Sequence, residues 1–126
     1  MNPLRERVKL QLLKQQNWRP KCPLCQKPAS QLHEIISPNM GNKYNPDHTE
    51  LAELVYSRSN CVILCGVCNT EIGGGSSKRD ELLQYNMGLY GPEEVVATLR
   101  GIAKLSSKDR IPAIIEFEGK EYYVNI

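Results

Sequence analysis

Two short stretches decide the fold that this sequence predicts: CPLC at residues 22–25 and CGVC at residues 65–68. Each stretch is a Cys-x-x-Cys pair, and about 40 residues separate the two pairs. A pair of this kind turns its two thiolates towards one point, so two pairs can complete a tetrahedron around one zinc ion. Zinc bound in this way has no open position, so we predict a structural zinc site. Its four ligands are Cys22, Cys25, Cys65 and Cys68.

The same cysteines could instead be free thiols or a redox pair. A thioredoxin-like βαβ pattern does not accompany the pairs, which favours zinc over redox chemistry. Disulfides are disfavoured because the N-terminus lacks the apolar stretch of a signal peptide, and the cytosol keeps thiols reduced. The fifth cysteine, Cys61, lies in the apolar run CVIL at residues 61–64. We expect it to be a buried small residue and not a ligand.

Length and composition place the chain among ordinary globular proteins. It has 126 residues, of which 40% are hydrophobic and 24% are charged. These fractions argue against disorder. The longest apolar runs fall well short of the roughly 20 residues that span a bilayer. We therefore expect a cytoplasmic protein without membrane segments, and the oligomeric state stays open.

The sequence beside the two cysteine pairs adds a more specific pattern. LHEII at residues 32–36 predicts a strand after the first pair, and NCVILCGVCN at residues 60–69 contains the second pair. Over residues 20–72 this order resembles the HNH endonucleases (ββα-metal or His-Me finger nucleases) in their zinc-containing form. The resemblance implies an α+β fold in which a zinc site of four cysteines staples a ββα-metal core.

The resemblance also implies roles for single residues. His33 takes the place of a ligand of the catalytic metal, and Glu34 takes the place of the general base. Asn60 matches the middle Asn of the family motif, which braces the loop between the two strands, and Asn69 matches a second ligand of the catalytic metal. Most members have His at the base position. A shift of one residue would make His33 the base and leave Leu32, which cannot coordinate, at the ligand position, so both registers stay open.

The activity that the resemblance implies is hydrolysis of DNA phosphodiester bonds with one divalent ion, Mg²⁺ or Mn²⁺, at low sequence specificity. Such small chains are common in bacteriophages, so a phage or bacterial origin is expected. A predicted helix at about residues 46–56 is inserted between the strands, and its His48 is either a further ligand or base or a solvated residue. The alternatives are a catalytically inactive zinc module that binds DNA or protein, and a zinc protein of the ribosome or a polymerase.

Basic charge is concentrated at the N-terminal end. Residues 1–27 contain seven Lys or Arg and one Glu, a net charge of +6, whereas the whole chain carries only +2. Such asymmetry is typical of a polyanion-binding surface, although a solvated helix face would have the same composition. We predict DNA contacts from this segment. The residues are Arg5, Lys9, Lys14, Arg19 and Lys21.

The remaining elements follow from periodicity and turn residues. Leu4, Val8 and Leu12 predict an amphipathic helix that ends at about Gln16. We expect further helices at about residues 76–85 and from Pro92 onwards, and a hairpin with strands at 113–117 and 120–126. The predicted apolar face of the helix after Pro92 is Val95, Val96, Leu99, Ile102 and Ala103. Residues 1–75 would then hold the basic helix and the zinc-stapled HNH core. Residues 76–126 would form a helical extension with the C-terminal hairpin packed on or beside that core.

Overall fold

The computed structural model describes residues 3–37, 49–72, 76–106 and 111–125. These residues form five α-helices and two small antiparallel sheets, which confirms the predicted mixture of helices and strands. The helices are α1 (Pro3–Gln15), α2 (Thr49–Val55), α3 (Gly66–Ile72), α4 (Ser76–Tyr90) and α5 (Pro92–Leu105). The strands are β1 (Gln31–Glu34), β2 (Cys61–Leu64), β3 (Ile114–Phe117) and β4 (Lys120–Tyr123). A short 3₁₀ turn spans Arg58–Asn60. Within the described ranges, no helix has the length and apolar character needed to cross a membrane.

The first helix, α1, precedes the first cysteine pair and ends in a reversal of the chain direction. Val8 and Leu12 are the buried residues of α1, and the helix packs against β2. Asn17 and Trp18, just past its end, both have positive φ angles, 53° and 62°. The Trp18 N–H donates to the Leu13 carbonyl at 2.8 Å, which closes the last turn. The chain thereby reverses direction and enters the segment around Cys22.

The central sheet fixes which side chains share a face. β1 pairs antiparallel with β2, so that Gln31 lies opposite Leu64 and Glu34 lies opposite Cys61. Side chains alternate along a strand, and directly opposite residues share a face. Gln31 and His33 therefore project from one face of this ribbon, while Leu32 and Glu34 project from the other. α3 follows β2 almost directly and contacts β1.

The two long C-terminal helices pack together and against the first part of the chain. The predicted apolar face of α5 is confirmed, since all five of its residues are buried. The predicted end of α4 at about residue 85 is wrong, because the helix continues to Tyr90. Gly88 within a helix costs only about 1 kcal/mol relative to Ala. The effective stop is Gly91, whose φ is 92°, together with Pro92.

The C-terminal hairpin has the predicted turn, and both strands lie within the predicted ranges, although β4 ends at Tyr123. Glu118 and Gly119 connect β3 to β4 with φ angles of 51° and 81°, as a type I′ turn requires. α5 also packs against α2, and α4 packs against the 3₁₀ turn. The segments before and after residue 75 therefore contact each other, whereas their division into two units stays a prediction.

Candidate metal centres and nucleic-acid interface

The two Cys-x-x-Cys pairs meet in space. The four Sγ atoms all lie within 4.8 Å of one another, and Cys25 Sγ is 3.6 Å from Cys65 Sγ. A tetrahedral zinc site with Zn–S bonds of about 2.3 Å separates its sulfurs by about 3.8 Å. No disulfide bond joins any of the five cysteines, all of which lie in the described residues. The four-cysteine cluster can therefore hold a structural metal ion such as zinc.

Local backbone geometry shapes both pairs. In the first pair, the Gln26 N–H donates to the Cys22 carbonyl and the Cys22 N–H donates to the Lys27 carbonyl, each at 2.8 Å. Gln26 has a φ of 66°, the left-handed conformation that lets the loop turn back so tightly. In the second pair, the Cys68 N–H points at Cys65 Sγ at 3.4 Å. Both pairs thus direct their sulfur atoms to one point.

Hydrogen bonds and burial shift the pKa values of the cysteine thiols in different directions. Burial raises the pKa of Cys22, but N–H groups of Cys65, Leu24 and Cys25 outweigh it and lower the pKa to about 7. The pKa of Cys68 is raised to about 12, and the largest cause is a side-chain hydrogen bond with Cys65. Without a cation, four thiolates this close together would repel one another. A divalent cation displaces the thiol protons and compensates the negative charge of the four sulfur atoms.

Cys61 lies outside this cluster, as predicted. It is 1% exposed, and its Sγ donates to the Val55 carbonyl at 3.3 Å. Burial raises the pKa of this thiol, the charge of Glu34 adds to the rise, and the charge of Arg5 opposes it. Cys61 is therefore a neutral, buried thiol.

His33 and Asn69 are brought together from different elements. Burial lowers the pKa of the half-buried His33. The charge of Glu34 and a hydrogen bond with the Asn69 side chain oppose this shift. Asn69 lies on α3, immediately after the second cysteine pair, and its Nδ2 also donates to Gln31 Oε1 at 2.8 Å. Asn69 therefore lies beside the face of β1 that carries Gln31 and His33.

Glu34 projects from the other face of the ribbon. It lies opposite Cys61 in the strand register, and its charge acts on the Cys61 thiol. Arg5 acts on the same thiol, and its Nη2 lies 3.5 Å from the Leu32 carbonyl. The two consecutive residues that the resemblance pairs in one site thus point in different directions, His33 towards α3 and Glu34 towards α1.

Asn60 braces the loop between β1 and β2. Its side chain is fully buried, and its Nδ2 donates to the carbonyls of Ile36 and Val55, each at 2.9 Å. Its Oδ1 accepts from the Ile36 N–H at 3.0 Å. All three bonds go to the main chain, at Ile36 after β1 and at Val55 at the end of α2.

A second buried amide, Asn86 on α4, is one that the sequence analysis missed. Its Nδ2 lies 3.3, 3.1 and 3.2 Å from the carbonyls of Arg58, Ser59 and Cys61. Thr98 on α5 also contacts the 3₁₀ turn, since its hydroxyl lies 2.7 Å from the hydroxyl of Ser59, within hydrogen-bond distance. These partners lie 25 or more residues away in sequence. Only a helical periodicity that places Asn86 beside the apolar residues of α4 could have indicated its burial.

The predicted DNA-contacting residues do not share one face. An α-helix turns about 100° per residue, so Arg5 and Lys9 lie about 40° apart on α1, whereas Lys14 lies about 140° from Lys9. Arg5 faces the β1 side of the helix. Arg19 and Lys21 are exposed in the segment that follows. His48 lies outside the described residues.

Comparisons of the chain with protein-family models, with curated proteins and with solved structures find no match. The likeness to HNH endonucleases therefore depends on the residues of this chain alone.

Proposed function

We propose that this protein is a metal-dependent endonuclease of the HNH type that hydrolyses DNA phosphodiester bonds. The observation that carries the proposal is the proximity of β1 and α3: Asn69 Nδ2 donates at 2.8 Å to Gln31 Oε1, and Gln31 shares a strand face with His33. His33 comes from β1, which follows the first Cys-x-x-Cys pair, and Asn69 comes from α3, which contains the end of the second pair. An imidazole beside a carboxamide oxygen at such a junction can serve a proton transfer next to a cation.

In this proposal His33 accepts the proton of the attacking water. Burial lowers its pKa, so that the ring is neutral and able to accept a proton near pH 7. Asn69 contributes its carboxamide oxygen, a ligand type that Mg²⁺ accepts together with waters and substrate phosphate. A divalent cation held there would act as a Lewis acid on the charge that develops at the phosphate. This assignment uses the register in which His33 is the base, because Glu34 projects from the other face of the ribbon.

The structural zinc has a separate role in the proposal. It would tie β1 and α3 together, since Cys22 and Cys25 precede β1 while Cys65 and Cys68 flank the start of α3. Structural zinc sites contribute folding free energy directly. Loss of zinc would therefore separate His33 from Asn69 without any chemical change at either residue.

The DNA would approach past α1. Arg5 and Lys9 lie about 40° apart on α1, on the opposite side of the ribbon from His33, so they would contact phosphates at a distance from the scissile bond. Contacts of this kind are insensitive to sequence and give affinity that depends on salt. The proposal therefore includes low sequence specificity.

A second function is favoured by one observation. Glu34 is the carboxylate nearest to His33 in sequence, but it shares a face with Cys61. The side chains at the junction of β1 and α3 are then the imidazole of His33 and the neutral amide of Asn69. Mg²⁺ prefers carboxylate ligands to such a set. The alternative is a zinc-containing module that binds DNA or protein and lacks catalysis.

Nicking of supercoiled plasmid separates the two functions. The zinc-loaded protein is incubated with Mg²⁺, Mn²⁺, Ni²⁺ or Zn²⁺, and conversion to the open circle is measured. We expect cleavage that needs an added divalent ion and that His33→Ala abolishes, with zinc content and circular dichroism unchanged. Glu121→Gln, on the exposed side of the hairpin, is the matched control and should cleave normally. Binding without cleavage of plasmid, single-stranded, duplex and branched DNA would support the non-catalytic module.

A further inference from the structure

Trp18, the single tryptophan of the chain, lies in the reversal that follows α1. Its side chain is 57% exposed, and its backbone has a φ of 62°. Glycine adopts this left-handed region freely and commonly ends helices there, whereas a bulky side chain is strained. Glycine would therefore end α1 at a lower cost, and burial does not compensate that cost for Trp18. An exposed indole on a strained backbone points to a contact with a binding partner.

The backbone around Trp18 is held on both sides. The Arg19 N–H donates to the Gln16 carbonyl at 3.0 Å, within the reversal itself. Pro20 is buried, and its carbonyl accepts from the Ala29 N–H at 3.0 Å, which closes the loop that contains the first cysteine pair. The indole is thus attached to a backbone that the helix and the cysteine loop both hold in place. A binding surface that is ordered in advance loses little conformational entropy when it binds.

The sequence around Trp18 carries only positive charge. Residues 7–33 contain six Lys or Arg and no Asp or Glu. Three of these cations lie within four residues of Trp18, and all three are exposed: Lys14, Arg19 and Lys21. Lysine is depleted in protein–protein interfaces, so an aromatic ring beside two lysines is not typical of a surface that binds protein. An anionic partner with flat aromatic groups fits both the ring and the charge.

Nucleic acid combines phosphate charge with aromatic bases, but in a duplex both faces of each base are covered by its neighbours. An exposed indole can therefore stack on a base only where a strand is unpaired. We propose that Trp18 is a stacking platform for an unpaired base of single-stranded DNA, and that Arg19 and Lys21 contact the adjoining phosphates. The inference rests on the proposed function for DNA as the ligand, and it extends the substrate class to DNA with single-stranded segments. Stacking accepts any base, in agreement with low sequence specificity.

The test uses the fluorescence of Trp18, because the chain has one tryptophan. The zinc-loaded protein, without other divalent ions, is titrated with oligothymidylate or with a duplex of the same length at the same salt concentration. Stacking on a base quenches indole emission. We therefore expect saturable quenching by the single strand and little quenching by the duplex, even where the duplex is bound. Equal quenching by both would overturn the proposal.

Trp18→Gly separates binding from stability. Glycine suits the positive φ, so the melting temperature of this variant should be no lower than that of the wild type. Its affinity for a labelled oligothymidylate, measured by fluorescence anisotropy, should nevertheless fall by about 5–150-fold, the usual effect of removing one aromatic stacking partner. Trp18→Phe, which keeps an aromatic face, should lose less. Leu10→Ala removes another exposed apolar side chain of α1 and is the matched control, with unchanged affinity. Unchanged affinity for Trp18→Gly, or equal losses for Trp18→Gly and Leu10→Ala, would overturn the proposal.

Two outcomes distinguish this inference from the nuclease proposal. Plasmid nicking that depends on His33, without any quenching by the single strand, would overturn the role of Trp18 and leave the nuclease proposal intact. Single-strand binding that Trp18→Gly weakens, without cleavage of any DNA, would contradict the nuclease proposal. That second outcome would support Trp18 as the stacking platform of a module that binds DNA.

Discussion

Asn60 and Asn86 hold the same turn from two sides. Asn60 joins the Arg58–Asn60 turn to Ile36 at the end of the β1 segment and to Val55 at the end of α2. Asn86, from α4, lies within hydrogen-bond distance of three carbonyls in and after that turn. Both side chains are essentially buried, at 0% and 1% exposure. The start of β2 is therefore anchored by the inserted segment on one side and by the C-terminal helices on the other.

Removal of either amide should destabilise the fold strongly. Asn60→Ala and Asn86→Ala each remove several buried hydrogen bonds to the main chain, and each buried group left unsatisfied costs about 1–3 kcal/mol. We expect losses of about 2–4 kcal/mol in the free energy of unfolding, measured by urea denaturation of the zinc-loaded protein. Asn69→Ala, at a half-exposed amide, is the control and should cost less than about 1 kcal/mol. A loss below that level for Asn60→Ala would contradict the bracing role.

Zinc should be required for the central fold. Elemental analysis should find one zinc per chain, because the four cysteine sulfurs form one cluster. Replacement of any one of the four by Ser should lower zinc content and unfold the β1–β2–α3 region, with loss of near-ultraviolet dichroism. Prolonged chelation of the wild type should have the same effect, and zinc should reverse it. A chain that is fully folded after complete zinc removal would contradict this prediction.

Cys61→Ser should be mild by comparison. The serine hydroxyl can keep the hydrogen bond to the Val55 carbonyl, so the cost of a polar group in the core should be about 1 kcal/mol. Burial and a raised pKa should also protect Cys61 from iodoacetamide in the native protein, as followed by mass spectrometry. Alkylation at the rate of a denatured control would show that the thiol is accessible.

Elements with local patterns were predictable from the sequence, and long-range polar contacts were not. The apolar repeat of α5, the turn at Glu118 and Gly119 and the Cys-x-x-Cys spacings are each visible in a short stretch of sequence. The contacts of Gln31 and Asn86 depend on partners in distant segments, so no local pattern reveals them. The separation of His33 from Glu34 depends on the strand register, which a sequence match to consecutive residues does not specify. The number of basic residues in α1 predicts one surface, but helical geometry divides them between two sides of the helix.

The two sides of α1 should differ in their contribution to DNA binding. Arg5→Gln combined with Lys9→Gln removes two charges from the side that adjoins β1. Arg7→Gln combined with Lys14→Gln removes the same charge from a side about 140–180° away. The first variant should reduce the slope of log affinity against log salt by up to about 1.8, because each phosphate contact contributes about 0.9. The second should change it by less than half as much. Equal slopes for the two variants would show that the charge of α1 acts only at long range.

The choice between His33 and Glu34 as general base can be made by two conservative substitutions. His33 shares its strand face with Gln31, which accepts a hydrogen bond from Asn69, whereas Glu34 shares its face with Leu32 and Cys61. If His33 is the base, His33→Gln should lower the nicking rate by about 10²–10⁴-fold, the usual contribution of a general base. Glu34→Gln should then keep activity within a few-fold of the wild type, since the amide preserves the size of the side chain.

The opposite result has an equally clear meaning. A loss of two or more orders of magnitude for Glu34→Gln would identify Glu34 as the base and leave His33 as a metal ligand, the register that places Ile35 and Ile36 at the family's positions. Mn²⁺ affinity then separates the roles further, because loss of a ligand weakens cation binding while loss of a base leaves it intact. His33→Gln should therefore lower the rate with unchanged Mn²⁺ affinity if His33 is the base. His33 and Glu34 project from opposite faces of one ribbon, so a single site between β1 and α3 can use only one of the two side chains. We expect that residue to be His33.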